Sequence, residues 1–287
     1  MSSWLPAIGV RTPEVSEVDA RIGYATRVYR GGPDLADLSG IVMQTTLDNP
    51  VGGLVLPVED RRWLVLAVGM GERRPPRDVP GFEAFLRQLP DPWLAAFVDQ
   101  CSPCGEVTVY RRTEHRRHHY ERLRDWPDGL LAIGDAFVSF NPVFAQGMTV
   151  AACVALVLRD ALSAGRLPGH ARSVMRGFAA TAAVPWSVAT GQDLRQPTSN
   201  GRPTRSQALM NAWARELSRL GVHGDARATD VLTALYHLMS SPRTLLHPAR
   251  FRSALLARVR GHGPAAGRPS GLAALDSSEH PVDKRKQ

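Results

Sequence analysis

The sequence predicts a mixed α+β and α/β fold. Three observations carry that reading: four short strand-like runs between residues 22 and 70 with no helical pattern between them, a short apolar run, loop and long apolar helix over 130–164, and helix-period apolar residues from 172 to 260. Strands that follow one another at such short spacing pair antiparallel, whereas a strand that leads through a loop into a helix is the unit of an α/β layer. The expected plan is therefore an antiparallel sheet, then one strand–loop–helix unit, then a helical C-terminal region.

In chain order, residues 1–21 form a lead-in with Pro6 and Pro13 that holds at most a short helix. Residues 22–128 form the sheet domain. Its first strand is read at Gly23 to Tyr29, rich in aromatic and β-branched residues, and its second at Ile41 to Leu47. Gly53 to Val58 and Trp63 to Met70 flank Glu59-Asp60-Arg61-Arg62, a hairpin turn. Between Pro80 and Gln100 the period changes: Phe82, Phe85, Leu86 and Leu89 suit a helix, Pro90 and Pro92 break it, and Trp93 begins another. Val107 to Tyr110 returns to strand character. By alternation Met43, Leu56, Trp63 and Tyr110 point inward, either lining a pocket or as ordinary core.

Arg111 to Arg124 reads as a solvated basic connection, with an anion contact as the alternative. It holds His115, His118 and His119, but the six arginines around them would repel a divalent ion, so no metal site is expected. Cys101 and Cys104 have C-x-x-C spacing without a second pair, and read as incidental thiols in a turn. Residues 129–165 form the strand–loop–helix, with the strand at Leu130 to Ile133 and a helix that is apolar nearly all round. Residues 166–260 form the helical region, including a helix over Arg172 to Ala189 kinked near Pro185, and helices over Ser206 to Leu220, Ala228 to Met239 and Pro248 to Arg260. Residues 261–287, rich in Gly, Pro, Ser and charge, read as a disordered tail.

Composition narrows the function classes. The 287 residues are 44% apolar, enough for a core. No run reaches the ~18 apolar residues that span a bilayer, and the first ten residues lack the pattern of a signal peptide, so a cytoplasmic protein is expected. The formal charge of +8 comes from arginines spread along the whole chain, with no nucleic-acid recognition module among them, so no nucleic-acid partner is expected.

Chemistry concentrates at Leu130 to Ala164. Asp135 follows the apolar run directly and would stand at the carboxyl end of a sheet, where open α/β folds bind ligands. Gln146, Gly147 and Met148 open the helix, so their amides lack intrahelical partners and the helix dipole favours negative charge beside them. Gly147 lets a planar ligand approach.

The run Gly134-Asp135-Ala136, then Pro142, then Gln146-Gly147-Met148-Thr149, then Asp160-Ala161, resembles the second FAD-binding motif of flavoprotein monooxygenases of the aromatic-hydroxylase type. It is most similar to the branch that writes F-N-P-V-[YF]-x-Q-G-M, here Phe140 to Met148. The segment from Pro185-Trp186 through Asp193-Leu194-Arg195 to Pro197 also resembles that branch. The resemblance implies an antiparallel substrate-domain sheet followed by the last strand–loop–helix of an FAD-binding domain. It implies FAD as cofactor, held by Gly134, Asp135, Pro142, Gln146, Gly147 and Met148. Asp135 would bind the ribityl chain, and the Gly147 and Met148 amides would face the pyrimidine edge of the flavin. It further implies NAD(P)H as reductant, oxygen activation, and oxygenation of a small organic substrate. Two departures are visible: Ala145 stands where the branch usually has Gly, and Val138 where many wider relatives have His.

The family's opening G-x-G-x-x-G turn, which holds the FAD pyrophosphate, has no counterpart here, since Gly69-Met70-Gly71-Glu72 lacks the third Gly. The sequence reading is thus a partial enzyme that binds FAD weakly alone: either a truncated product or mis-called start, or a chain whose nucleotide half is supplied by an upstream polypeptide carrying that segment. The alternative is a non-catalytic remnant or interaction protein that keeps the fold.

Overall fold

The computed structural model describes residues 5–32, 39–165, 167, 169–261 and 264. The disordered tail read at 261–287 lies outside the described residues apart from 261 and 264. The described residues fall into two compact units, one spanning Arg21–Arg112 and the other built from residues 5–20 and from Thr113 onward.

The Arg21–Arg112 unit is a five-stranded antiparallel sheet. Its strands are β2 (Ile22–Gly31), β3 (Ile41–Met43), β4 (Val51–Val58), β5 (Arg62–Met70) and β6 (Cys101–Tyr110), in spatial order β3-β4-β5-β2-β6. Asp60 and Arg61 both take positive φ, 59° and 52°, so the β4–β5 connection is a type I′ turn whose twist matches that of the strands it joins. Two helices cover the sheet, α1 (Val79–Arg87) and α2 (Trp93–Val98). Asp78 caps α1 by accepting from the Gly81 N–H at 2.8 Å, and Pro80 fits the first turn, where no amide bond is lost. The helices bury Phe82, Leu86, Leu94 and Phe97 against Ala25, Tyr29, Val55 and Val65. Each large side chain stabilises the unit by about 1.5–3 kcal/mol relative to exposure.

Three sequence expectations change here. Cys101 and Cys104 begin a strand instead of lying in a turn, and burial pushes the Cys101 thiol up to about 11. The run from Ile41 stops pairing at Met43. Met43 and Trp63 pack on the core, but Leu56 and Tyr110 are exposed: side chains alternate strictly along a strand, so a phase error of one residue puts a side chain on the opposite face.

In the other unit, β1 (Val15–Val18), β7 (His115–His118) and β8 (Val138–Ser139) form a small antiparallel sheet in the order β1-β7-β8. The lead-in and the basic connection thus both contain a strand. Val15 pairs with His118 and Val18 with His115. Around this sheet run α3 (Gly147–Ser163), α4 (Ala171–Asp193), α5 (Arg205–Val222), α6 (Ala226–Tyr236) and α7 (Pro248–Arg260). α3 packs on α4 over a core of Tyr120, Phe137, Val150, Val154, Met175 and Phe178. α5, α6 and α7 close a separate cluster around Leu217, Leu220, Val231 and Leu245. Thr204 and Gln207 form a capping box that starts α5.

Three further expectations change. Leu130 to Ile133 is not a strand: Ile133 is extended, φ −130° and ψ 164°, but no strand among the described residues pairs with this run. A β conformation needs a neighbour to accept its ladder bonds. α3 buries Val150, Val154 and Ala161 yet exposes Met148, Leu156 and Leu162, so its all-round apolar character is used on one side only. α4 continues past Pro185 and Ala189 to Asp193, because a proline removes a single helix bond while Thr190 and Gln192 supply the acceptors for the final turn. Among the described residues no helix is long and apolar enough to cross a membrane.

α4 is capped from a distance. The Asp128 carboxylate accepts from the Gly169 N–H and, at 3.3 Å, from the Ala171 N–H. These two backbone donors hold its carboxyl below the ordinary value. A depressed carboxyl contributes stability that is whole above the unfolded pKa, about 3.9, and is lost as pH falls through the folded value. Asp128→Asn is therefore expected to flatten the fall of stability with pH below about 4, as read from urea midpoints at stepped pH.

Candidate functional site

The segment from Gly134 to Met148 is held by side chains far away in sequence. Gly134–Ala136 is a tight 3-10 turn that packs against α3, with Gly134 at φ 57° and the Phe137 N–H returning to the Gly134 carbonyl at 2.9 Å. The positive φ explains the glycine, and a Cβ there would meet open space. Asp135 is exposed and its carboxylate has no hydrogen-bond or ion-pair partner among the described residues.

Pro142 opens a second 3-10 turn, Pro142–Phe144, whose cap is Asn141: its side-chain oxygen accepts from the Val143 N–H at 3.2 Å. The turn ends at Ala145 with φ 51°. The glycine typical of the resembled branch is thereby explained, since the left-handed region is costly for a residue with a Cβ. Ala145→Gly is expected to stabilise this unit by about 0.5 kcal/mol, the Cβ relief less the backbone entropy of glycine, seen as a higher urea midpoint.

Gln146 is buried. Its Nε2 donates to the Tyr236 carbonyl at the end of α6 at 3.0 Å, and its Oε1 is buried without a partner. Tyr236 returns its hydroxyl to the Val143 carbonyl at 3.3 Å, and burial pushes that phenol up. α3 then begins with Gly147. Gln146 gives no side-chain cap, so among the described residues the first amides of the helix have no capping acceptor. A Cβ at Gly147 would meet nothing within 4 Å, and Met148 is 87% exposed. Of the six sequence-predicted residues, Gly134, Asp135, Pro142, Gly147 and Met148 lie at accessible positions, while Gln146 faces inward and anchors the loop.

Sequence reasoning missed the group that fixes this loop. His115 of β7 is wholly buried. Its Nδ1 accepts from the Asn141 N–H at 3.1 Å, and its Nε2 lies 3.0 Å from Asp193 Oδ2. Because Nδ1 is taken as an acceptor, the ring proton sits on Nε2 and is donated to Asp193. Asn141 Nδ2 donates to the same Asp193 oxygen at 2.8 Å. Phe144, Trp186 and Phe140 surround the imidazole at centroid distances of 5.4, 6.0 and 6.1 Å. The sequence carries no local signal for it, since His-Arg-Arg-His at 115–118 does not alternate. The other two histidines are engaged separately: His119 bridges Ser16 Oγ at 2.8 Å and Glu121 at 3.1 Å, and His118 stacks on Tyr120. Burial and then Arg116 lower the His118 pKa.

The donor set fits a flavin in kind. A free carboxylate, uncapped helix-start amides and two positions open to a Cβ stand on elements that pack together.

The mixed α/β architecture is shared with a flavin-dependent enzyme. A triple mutant of the flavin-dependent brominase Bmp2 superposes with a TM-score of 0.55 at 13% identity, over 90% of this chain and 60% of that one. Bmp2 itself gives 0.51 at 15% identity over the same shares. In sequence, the chain is 32% identical over 161 residues to Protein Rv3254 of Mycobacterium tuberculosis (strain ATCC 25618 / H37Rv), covering 56% of this chain and 34% of that protein. The chain thus spans about a third of the length of the curated relative it matches. No family model matches the chain.

Proposed function

We propose that this chain is part of an FAD-dependent oxidoreductase of the monooxygenase type. The observation that carries the reading is the pairing, on packed elements, of the partnerless Asp135 carboxylate with the uncapped amides of α3. In this reading Asp135 accepts from ribityl hydroxyls, and the Gly147 and Met148 amides donate to the pyrimidine edge, stabilising negative charge there. Gly134 and Gly147 keep that surface clear. Pro142 sets the turn, and Gln146 ties the loop to α6. Bound flavin would supply the redox and oxygen chemistry. NAD(P)H is the proposed reductant, a small organic molecule the proposed substrate, and the cytoplasm the proposed compartment. The G-x-G-x-x-G segment, which does not occur among these 287 residues, is proposed to come from a polypeptide segment outside them.

The test uses flavin fluorescence and visible absorbance during titration of the full chain with FAD and with riboflavin. Riboflavin lacks the pyrophosphate, so it probes the contacts proposed here. Saturable quenching is expected, weakened about tenfold in Asp135→Ala, the loss of charge-assisted hydrogen bonds. Absence of saturable binding of both ligands would defeat the reading and favour a non-catalytic role.

A further inference from the structure

The cations of the Arg21–Arg112 unit are not all matched. Arg74, Arg77 and Arg111 line one cleft of about 330 Å³ together with Gly71 and Glu72. Arg27, Arg62 and Arg87 of the same unit pair with carboxylates, and Glu72 is itself taken by Arg21 at 3.4 Å. Among the described residues, Arg74, Arg77 and Arg111 form no ion pair with any carboxylate. One atom of the cluster is more telling: Arg111 Nη1 is buried and has no hydrogen-bond partner. Leaving a guanidinium nitrogen dry and unpaired is costly, more so for a charged group.

The cluster is built rather than incidental. Gly23 and Gly69 face each other across β2 and β5. A Cβ on Gly23 would collide with Arg111 Nη1 and come within 2.8 Å of Arg74 Cδ, and one on Gly69 would collide with the Arg73 carbonyl. Two cross-strand glycines thus clear a floor on which the arginines lie. Each of two guanidiniums is also fixed by a backbone carbonyl: Arg74 Nε donates to Gly71 at 2.8 Å, and Arg111 Nη2 to Pro75 at 2.5 Å. Burial, then the Arg74 and Arg77 charges, pull the Arg111 pKa down, the mark of cations held together at a cost. Arg remains charged under such conditions, so the relief must come from an anion.

We infer that the cleft formed by Gly71, Arg74, Arg77 and Arg111 is a binding site for a phosphoryl group, whose charge is met by the three guanidiniums that line it. Three cations beside one already paired carboxylate suit a multiply charged group better than a monocarboxylate, and the planar forks of Arg match tetrahedral oxyanions. The inference goes beyond the flavin reading and draws on no residue of it.

The test is isothermal titration of the full chain with sodium pyrophosphate at constant ionic strength, alongside ADP and acetate. Saturable pyrophosphate binding is expected, with acetate inert. A higher affinity for ADP than for pyrophosphate assigns the phosphoryl group to a nucleotide, and the opposite order assigns it to the free anion. In either case Arg111→Gln and Arg77→Gln each weaken binding about tenfold, one charge-assisted bond apiece. Arg77 is exposed, so its variant reads binding without a burden on folding. No saturable heat with pyrophosphate or ADP, or binding unchanged in both variants, overturns the inference.

Discussion

Replacing Asp193 with Ala is expected to lower the stability of the unit that carries it by about 3–5 kcal/mol, the cost of breaking a buried polar network by removing its acceptor. The side chains of His115 and Asp193 are 0% and 5% exposed. One carboxylate oxygen accepts from both His115 Nε2 and Asn141 Nδ2, so the substitution removes an acceptor shared by two donors inside a wall of Phe140, Phe144 and Trp186. Water cannot easily take the vacated place there, and the low local dielectric magnifies the loss. Asp193→Asn keeps one acceptor oxygen and should cost about half as much. Urea unfolding followed by circular dichroism measures both, and at about 2–4 °C per kcal/mol the Ala variant should melt roughly 10 °C lower. A loss below about 1 kcal/mol, the size of one ordinary exposed contact, would mean that the network is open to solvent.

The same network shows what a sequence can and cannot disclose. Local signals placed the loop and helix well: Gly134, Pro142 and Gly147 each announce a backbone need, namely a positive φ, a turn start and an open helix entry. The antiparallel sheet was legible for a similar reason, since β2, β4 and β5 are apolar, β-branched or aromatic runs at short spacing and a polar turn joins two of them. What stayed hidden was long-range. His115 and Asn141 are 26 residues apart, and Asn141 and Asp193 are 52, and no local period links them. Among six arginines His115 looked like part of a solvated segment, because the polar run around it carries no sign of which position is buried. Leu130 to Ile133 failed in the opposite sense: its composition suits a buried strand, but pairing is decided by neighbours and not by the run itself.

Phe178→Ala is expected to cost about 3–5 kcal/mol, the range for truncating a buried Phe to leave a cavity. Phe178 lies on α4, is 0% exposed, and its ring centroid stands 6.3 Å from that of Phe137. Phe137 in turn joins two parts of the site: its N–H closes the Gly134 turn, and its carbonyl accepts from the His118 N–H at 3.0 Å. The cavity therefore opens directly beneath the turn that presents Asp135. Phe178→Leu keeps most of the volume and should cost less than about 1.5 kcal/mol. The pair separates two roles for the aromatic wall. If it serves packing alone, riboflavin affinity in the variants follows the folded fraction at each temperature. If it also orients the turn, affinity in Phe178→Ala falls further than the folded fraction while Phe178→Leu retains it, because a loosened Phe137 frees the Gly134–Ala136 backbone without unfolding α3. The second outcome is the expected one, since only Ala136 separates Phe137 from Asp135 along the chain.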